Sequence, residues 1–164
     1  MKIGMCIAVS VALCRCGPSN DNNTPNAPPV VEVIPSLKEV YDEFVSDCGS
    51  KYGADLSNKY KLEYIQYEGY KGELKNKYGG NTVGMCLYWT SNNVITKSNI
   101  TISHMDSAIK TKAVLYHELG HCVLKLAHTE QNPQTMMSPI MGTDEFYKEN
   151  WDELVKDMCY KYYK

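Results

Sequence analysis

The sequence predicts one small α+β domain over residues 36–164, with an N-terminal helix, a short mixed sheet, a central helix, a loop and a C-terminal helix. Three observations carry this expectation. Apolar residues recur at spacings of three and four in three separate stretches, β-branched and aromatic runs bounded by turn residues lie between the first two of them, and no internal repeat is visible. With 164 residues the chain is long enough for one core and too short for two full-sized domains. A hydrophobic fraction of 43% and a charged fraction of 22% are those of a globular protein and exclude a wholly disordered, collagen-like or coiled-coil chain.

Residues 1–16 read as an address label. Lys2 precedes an uncharged stretch from Ile3 to Cys14. About 12 apolar residues are too few to cross a bilayer as a helix, where ~20 are needed, and suit the h-region of a secretory signal. Residues 17–35 are rich in Pro, Asn and Ser and read as a flexible linker. Cys14 and Cys16 stand where a bacterial lipoprotein carries its acylated cysteine, although Leu13 and Arg15 are not the small residues that usually precede it. The expectation is an extracytoplasmic protein of a bacterium, secreted or held to the membrane only through an N-terminal lipid.

Within the domain, Leu37, Val40, Tyr41, Phe44 and Val45 form one apolar helix face, with Ser36 as its cap and Gly49 as its end. Lys61 to Tyr67 sets Leu62, Tyr64 and Gln66 against Glu63, Ile65 and Tyr67, the alternation of a strand. Val83 to Trp89 and Asn99 to His104 are two more strand candidates, separated by the turn-rich Ser91, Asn92 and Asn93. A helix is expected from Asp106 or Ser107 to about Leu126, then a loop with Pro133 and Pro139, then a closing helix over Thr143 to Tyr160.

The central helix carries the chemistry. His117, Glu118, Leu119, Gly120 and His121 form an HExxH string, which this composition produces by chance only about 0.006 times. Four residues turn a helix by about 400°, so His117 and His121 lie roughly 40° apart on one face and one turn apart along the axis. Two imidazoles so placed can share a metal, and Glu118 beside them is positioned to take a proton from activated water without being a ligand. Leu115, Leu119, Cys122 and Leu126 supply the packing stripe on another face, which leaves the histidine face free. A catalytic zinc site needs a third protein ligand and an open position, and His128 is the nearest candidate. Glu145, 24 residues after His121, is the rival third ligand, and His104 reads as a loop histidine.

These residues resemble the metzincin metallopeptidases, in which HExxH is followed by a glycine turn, a third His and a methionine turn. The likeness is nearest to small secreted bacterial metallopeptidases with HELGHC and one extra residue before the third His. It runs from about Gly84 through the WDEL string ending at Leu154, nearly half the chain. The resemblance implies a small metzincin-like catalytic domain that binds Zn2+ through His117, His121 and His128, with Glu118 as general base. It also implies a methionine beneath the metal, which aligns as Met137, with Met141 as the alternative. Lys125 stands where the nearest relatives have the turn glycine, and the usual tyrosine after the methionine turn is replaced by Pro139. A non-glycine residue in a left-handed turn costs roughly 1 to 2 kcal/mol. Tyr147 reads as a core or surface residue.

The expected activity is that of a zinc metalloendopeptidase acting on a peptide or protein substrate, as a monomer. The rival is a surface binding module that keeps the metal and lacks turnover; a closed structural zinc site would leave Glu118 without a role. Lys plus Arg number 17 against 19 Asp plus Glu, so no basic excess exists for nucleic acid. Cys122 shares the packing face of the central helix, Cys86 sits in a strand expected beneath it, and Cys48 and Cys159 lie near the ends of the outer helices. This placement predicts the bridges Cys86–Cys122 and Cys48–Cys159, one of three possible pairings.

Overall fold

The β-rich runs pair into a single four-stranded sheet in the computed structural model, which describes residues 31–92, 94–129 and 135–160. Strand β1 (Glu32–Val33) runs parallel to β2 (Leu62–Tyr67), and β2 runs parallel to β4 (Val94–Ile102). Strand β3 (Gly84–Ser91) pairs antiparallel with β4 and forms the far edge. Asn92, at φ 51°, takes the left-handed conformation that a tight β-hairpin requires. Sheet and helices together make the expected α+β fold.

Helix α3 (Ala108–Cys122) packs on one face of this sheet, and its Leu115, Leu119 and Cys122 are fully buried with Ile65, Ile100 and Ile102. Helix α1 (Pro35–Phe44) continues into a π-helical stretch, Val45–Lys51, and α4 (Asp144–Tyr160) packs on both that stretch and α3. A polar tie links the three helices. Lys112 of α3 pairs with Glu43 and lies 4.3 Å from the Trp151 ring, while the Tyr116 hydroxyl donates to Asp47 at 3.0 Å. The disulfides are Cys48–Cys159, closing the two ends of the helical layer, and Cys86–Cys122, joining β3 to the end of α3. Both are the pairs expected, one from the packing face of the central helix and the other from the ends of the outer helices, and they fit an oxidising compartment.

Several boundaries differ from expectation for local reasons. The first helix starts two residues early because Pro35, with its fixed φ, occupies the first helical position after Ile34. Gly49 does not stop it; the wider π-helical turn carries on to Lys51, and Gly53, at φ 69°, reverses the chain. Glu32–Val33, read as linker, is the short strand β1. Leu62 and Ile65 are both buried because the register shifts between Leu62 and Tyr64, which breaks simple alternation. Helix α2 (Glu73–Tyr78) was not expected, since six residues are too few to show a helical period. The helix bearing HExxH ends at Cys122 rather than near Leu126. The signal segment, Cys14, Cys16 and Pro133 lie outside the described residues. Among those described, no helix is long and apolar enough to cross a membrane.

The loop that joins β2 to α2 is held by one carboxylate. Glu68, 3% exposed, accepts main-chain N–H groups from Gly72 at 3.0 Å and Leu74 at 3.1 Å. Burial alone would raise its pKa; those N–H groups, the Ser103 hydroxyl and the His104 N–H outweigh it and hold the carboxyl below its ordinary 4.5. A depressed carboxylate stabilises the fold above the unfolded pKa and loses that contribution as pH falls through the folded value. Glu68→Gln is expected to cost about 1 to 3 kcal/mol at pH 7, with the gap to wild type closing as the pH is taken below 4.5. Urea melts of both proteins from pH 7 to pH 3 check this, and a constant gap would show that the charge is not what holds the loop.

Candidate metal centre

Helix α3 presents His117 and His121 on one face, and the chain turns back after its end to bring His128 against them. The three Nε2 atoms lie 3.0 Å apart in every pair. The opposite ring nitrogens of the first two are committed. His117 Nδ1 donates to the Met136 carbonyl at 2.8 Å, and His121 Nδ1 donates to the Leu126 carbonyl at 2.6 Å. A carbonyl only accepts, so both rings carry their proton on Nδ1 and turn a bare Nε2 lone pair toward the other. Between two such nitrogens there is no proton to share; the arrangement is that of ligands to one cation.

Electrostatics agree. Burial, then the neighbouring His121 and His128, push His117 down to about 3 against the opposing pull of the Met136 carbonyl. Burial lowers His121 and His128 as well. All three are therefore neutral near pH 7, the form that binds a metal. Size fits too: nitrogens about 2.0 to 2.1 Å from one zinc-sized ion stand roughly 2.9 to 3.4 Å apart when the angles between them are about 90 to 109°. These three histidines are the group of potential metal ligands whose atoms gather among the described residues, and Glu145 is not part of it.

The turn that delivers His128 explains the unusual spacing. Leu124 N–H reaches the Leu119 carbonyl at 3.4 Å and Leu126 N–H donates to the Gly120 carbonyl at 3.0 Å, so the last turn of α3 is wider than an α-helical one and absorbs the extra residue. Lys125 sits at φ 57°, the left-handed conformation expected for the missing glycine. Asn58 closes the helix end by donating to the Val123 carbonyl at 3.0 Å. The segment from Thr135 to Ser138 is clipped to the strand of chain after His128, with Thr129 N–H donating to the Met137 carbonyl at 3.1 Å and the two threonine hydroxyls 2.6 Å apart.

Met137 lies against the histidine helix, where a Cβ at Gly120 would stand 2.5 Å from its sulfur. Met141 packs at the edge of the core instead. Tyr147 is buried, and its hydroxyl accepts the Gly142 N–H at 3.1 Å, so it belongs to the core. His104 is exposed and stacks on Tyr67 with ring centroids 4.3 Å apart, away from the triad.

Glu118 turns toward β3. Its side chain is 6% exposed, and burial pushes its carboxyl up to about 8, opposed by the main-chain N–H of Cys86. A Cβ at Gly84 would lie 2.5 Å from Glu118 Oε1. Sequence reasoning missed three groups of this site. The carbonyls of Leu126 and Met136 have no side-chain signature, whereas a glycine interrupting the β-rich run at Gly84 is the kind of signal that marks a close approach. Comparison with protein-family models, curated proteins and solved structures finds no match.

Two expectations follow from this geometry. Elemental analysis of the purified protein should find about one divalent ion per chain, and His128→Ala should weaken its retention at least ~10-fold; unchanged retention would remove His128 from the ligand set. Lys125→Gly should relieve left-handed strain and gain about 1 kcal/mol, a rise in Tm of roughly 3 to 5 °C. A lower Tm would mean that Lys125 carries no strain there and that only the added freedom of the unfolded chain counts.

Proposed function

We propose that this protein is a zinc-dependent peptidase that works outside the cytoplasm. The observation that carries the reading is the convergence of three neutral imidazole nitrogens, two of them on the helix that also bears Glu118. The resemblance to the metzincins supports it, as does the position of the HExxH glutamate, which does not join the nitrogens. Of the metals that imidazoles suit, zinc is the one usually held by three histidines with a position left open. A bound zinc ion supplies Lewis acidity, polarising a carbonyl and making water acidic enough to react near neutral pH.

His117, His121 and His128 hold and orient that ion, and the carbonyls of Met136 and Leu126 fix the first two rings from behind. In its ionised form, which burial disfavours below about pH 8, Glu118 accepts the proton of the attacking water as the new C–O bond forms, then returns it to the amine nitrogen as the C–N bond breaks. Met137 seats the base of the site, a soft side chain packed against Gly120. Strand β3 is an edge strand joined to α3, so an extended peptide can add beside it by main-chain pairing. Such a substrate needs no net charge of its own, which matches a chain of formal charge −2.

Glu118→Ala should keep its zinc and lose at least about 100-fold in peptide cleavage, because the residue handles a proton and is not a ligand. A diverse peptide library incubated with wild type, chelator-treated protein and the variant checks this. An active variant would end the mechanism, and an inactive wild type across the library would move the reading to a metal-bearing binding module.

A further inference from the structure

Two positions on the edge strand face two positions on the histidine helix. Gly84 and Cys86 are two residues apart on β3 and point the same way, separated by about 6.8 Å; Glu118 and Cys122 are four apart on α3, about 6 Å along its axis. The matched spacing lets Gly84 oppose Glu118 while Cys86 is bonded to Cys122. At the first of these contacts there is no room for a side chain. A Cβ on Gly84 would meet Glu118 Oε1 at 2.5 Å, Glu118 Cγ at 2.9 Å and Val114 Cγ1 at 2.8 Å. Between the two contacts, the Cys86 main-chain N–H faces the same carboxylate. Gly84 has ordinary strand geometry, so left-handed backbone does not account for the glycine.

We propose that Gly84 and the Cys86–Cys122 disulfide are positioning elements for Glu118: the glycine leaves the space its carboxylate occupies, and the disulfide keeps strand and helix at the separation that makes that space. The proposal rests on the reading of Glu118 as general base for its catalytic consequence, but the cradle itself is a packing statement. None of these atoms touches substrate. They act on the reaction through the direction in which the carboxylate points, and a misplacement of about 1 Å is enough to cost up to ~100-fold in rate.

The test is a double-mutant cycle on the disulfide-intact, zinc-loaded protein, with Gly84→Ala, Glu118→Ala and the pair. Gly84→Ala should lower Tm by at least about 5 °C, and by less than half as much when Glu118 is already alanine, since two of the three crowding atoms are then gone. Equal penalties in both backgrounds overturn the cradle. In the single variant, kcat on a cleaved peptide should fall at least ~10-fold with KM within about two-fold and zinc content unchanged. Unchanged kcat in that folded, zinc-loaded variant overturns the positioning role. If Gly84→Ala does not fold, Cys86→Ser/Cys122→Ser replaces it, with the same kcat loss expected at unchanged zinc content and an unaltered kcat overturning the proposal. A wild type without peptidase activity ends the functional reading alone; the Tm cycle still decides the cradle.

Discussion

Three imidazole lone pairs held 3.0 Å from one another repel, and most of the fold can be understood as what keeps them together. Each ring is supported from a different part of the chain. His121 is held by a carbonyl five residues on, at Leu126; His117 by Met136, nineteen residues on; His128 by the turn itself. Such supports are only as rigid as the loops that bear them. The loop after α3 is therefore tied at intervals: to the helix end through Leu126 and Gly120, to the Thr135–Ser138 segment through Thr129 and Met137, and to the 3-10 turn Ser57–Lys61 through Asn58. Neutrality matters as much as position, because a protonated imidazole cannot ligate, and the burial of each ring lowers its pKa.

The two disulfides divide the remaining work. They close loops of 36 and 111 residues, and in the chain-entropy account they contribute roughly 4 and 5 kcal/mol respectively by restricting the unfolded chain. Cys48–Cys159 fastens the helical layer near its two ends. Cys86–Cys122 ends one residue from His121 and fixes the edge strand against the helix. A small core thus gains stability at both bridges, and at one of them the same bond sets the geometry around Glu118.

Sequence was most informative where side chains carry the signal. The HExxH string, His128 and the faces that paired the cysteines are all side-chain patterns, and the structure brings the three histidines together and forms both bridges. The strands were legible as β-branched and aromatic runs, but the register shift at Leu62 was not, because it is set by pairing with Ser98 of a strand 36 residues away. Strand β1 is two residues of a Pro-rich stretch and is made a strand by β2 alone. The carbonyls behind the histidines were invisible for a simpler reason: every residue has one, so nothing in the sequence distinguishes Met136 or Leu126 as a hydrogen-bond acceptor.

The end of α3 shows how a site can override a helical pattern. Leu126 continues the apolar spacing of Leu115, Leu119 and Cys122, so periodicity alone extends the helix past it. On an uninterrupted helix, though, His128 would lie about 10.5 Å along the axis from His121, out of reach of the same ion. The chain must stop and return within seven residues, and one residue in the left-handed region is the shortest way to do so. Lys125 takes that position although its Cβ is penalised there, and the hydrogen bonds of the turn before it span more residues than those of an α-helix. The strain lies between His121 and His128, with the Leu126 N–H and carbonyl holding the turn on one side and the His121 ring on the other. What opposes unfolding of that turn is thus the same pair of contacts that orients a ligand, so strain at Lys125 and order at the metal centre are two consequences of one chain reversal.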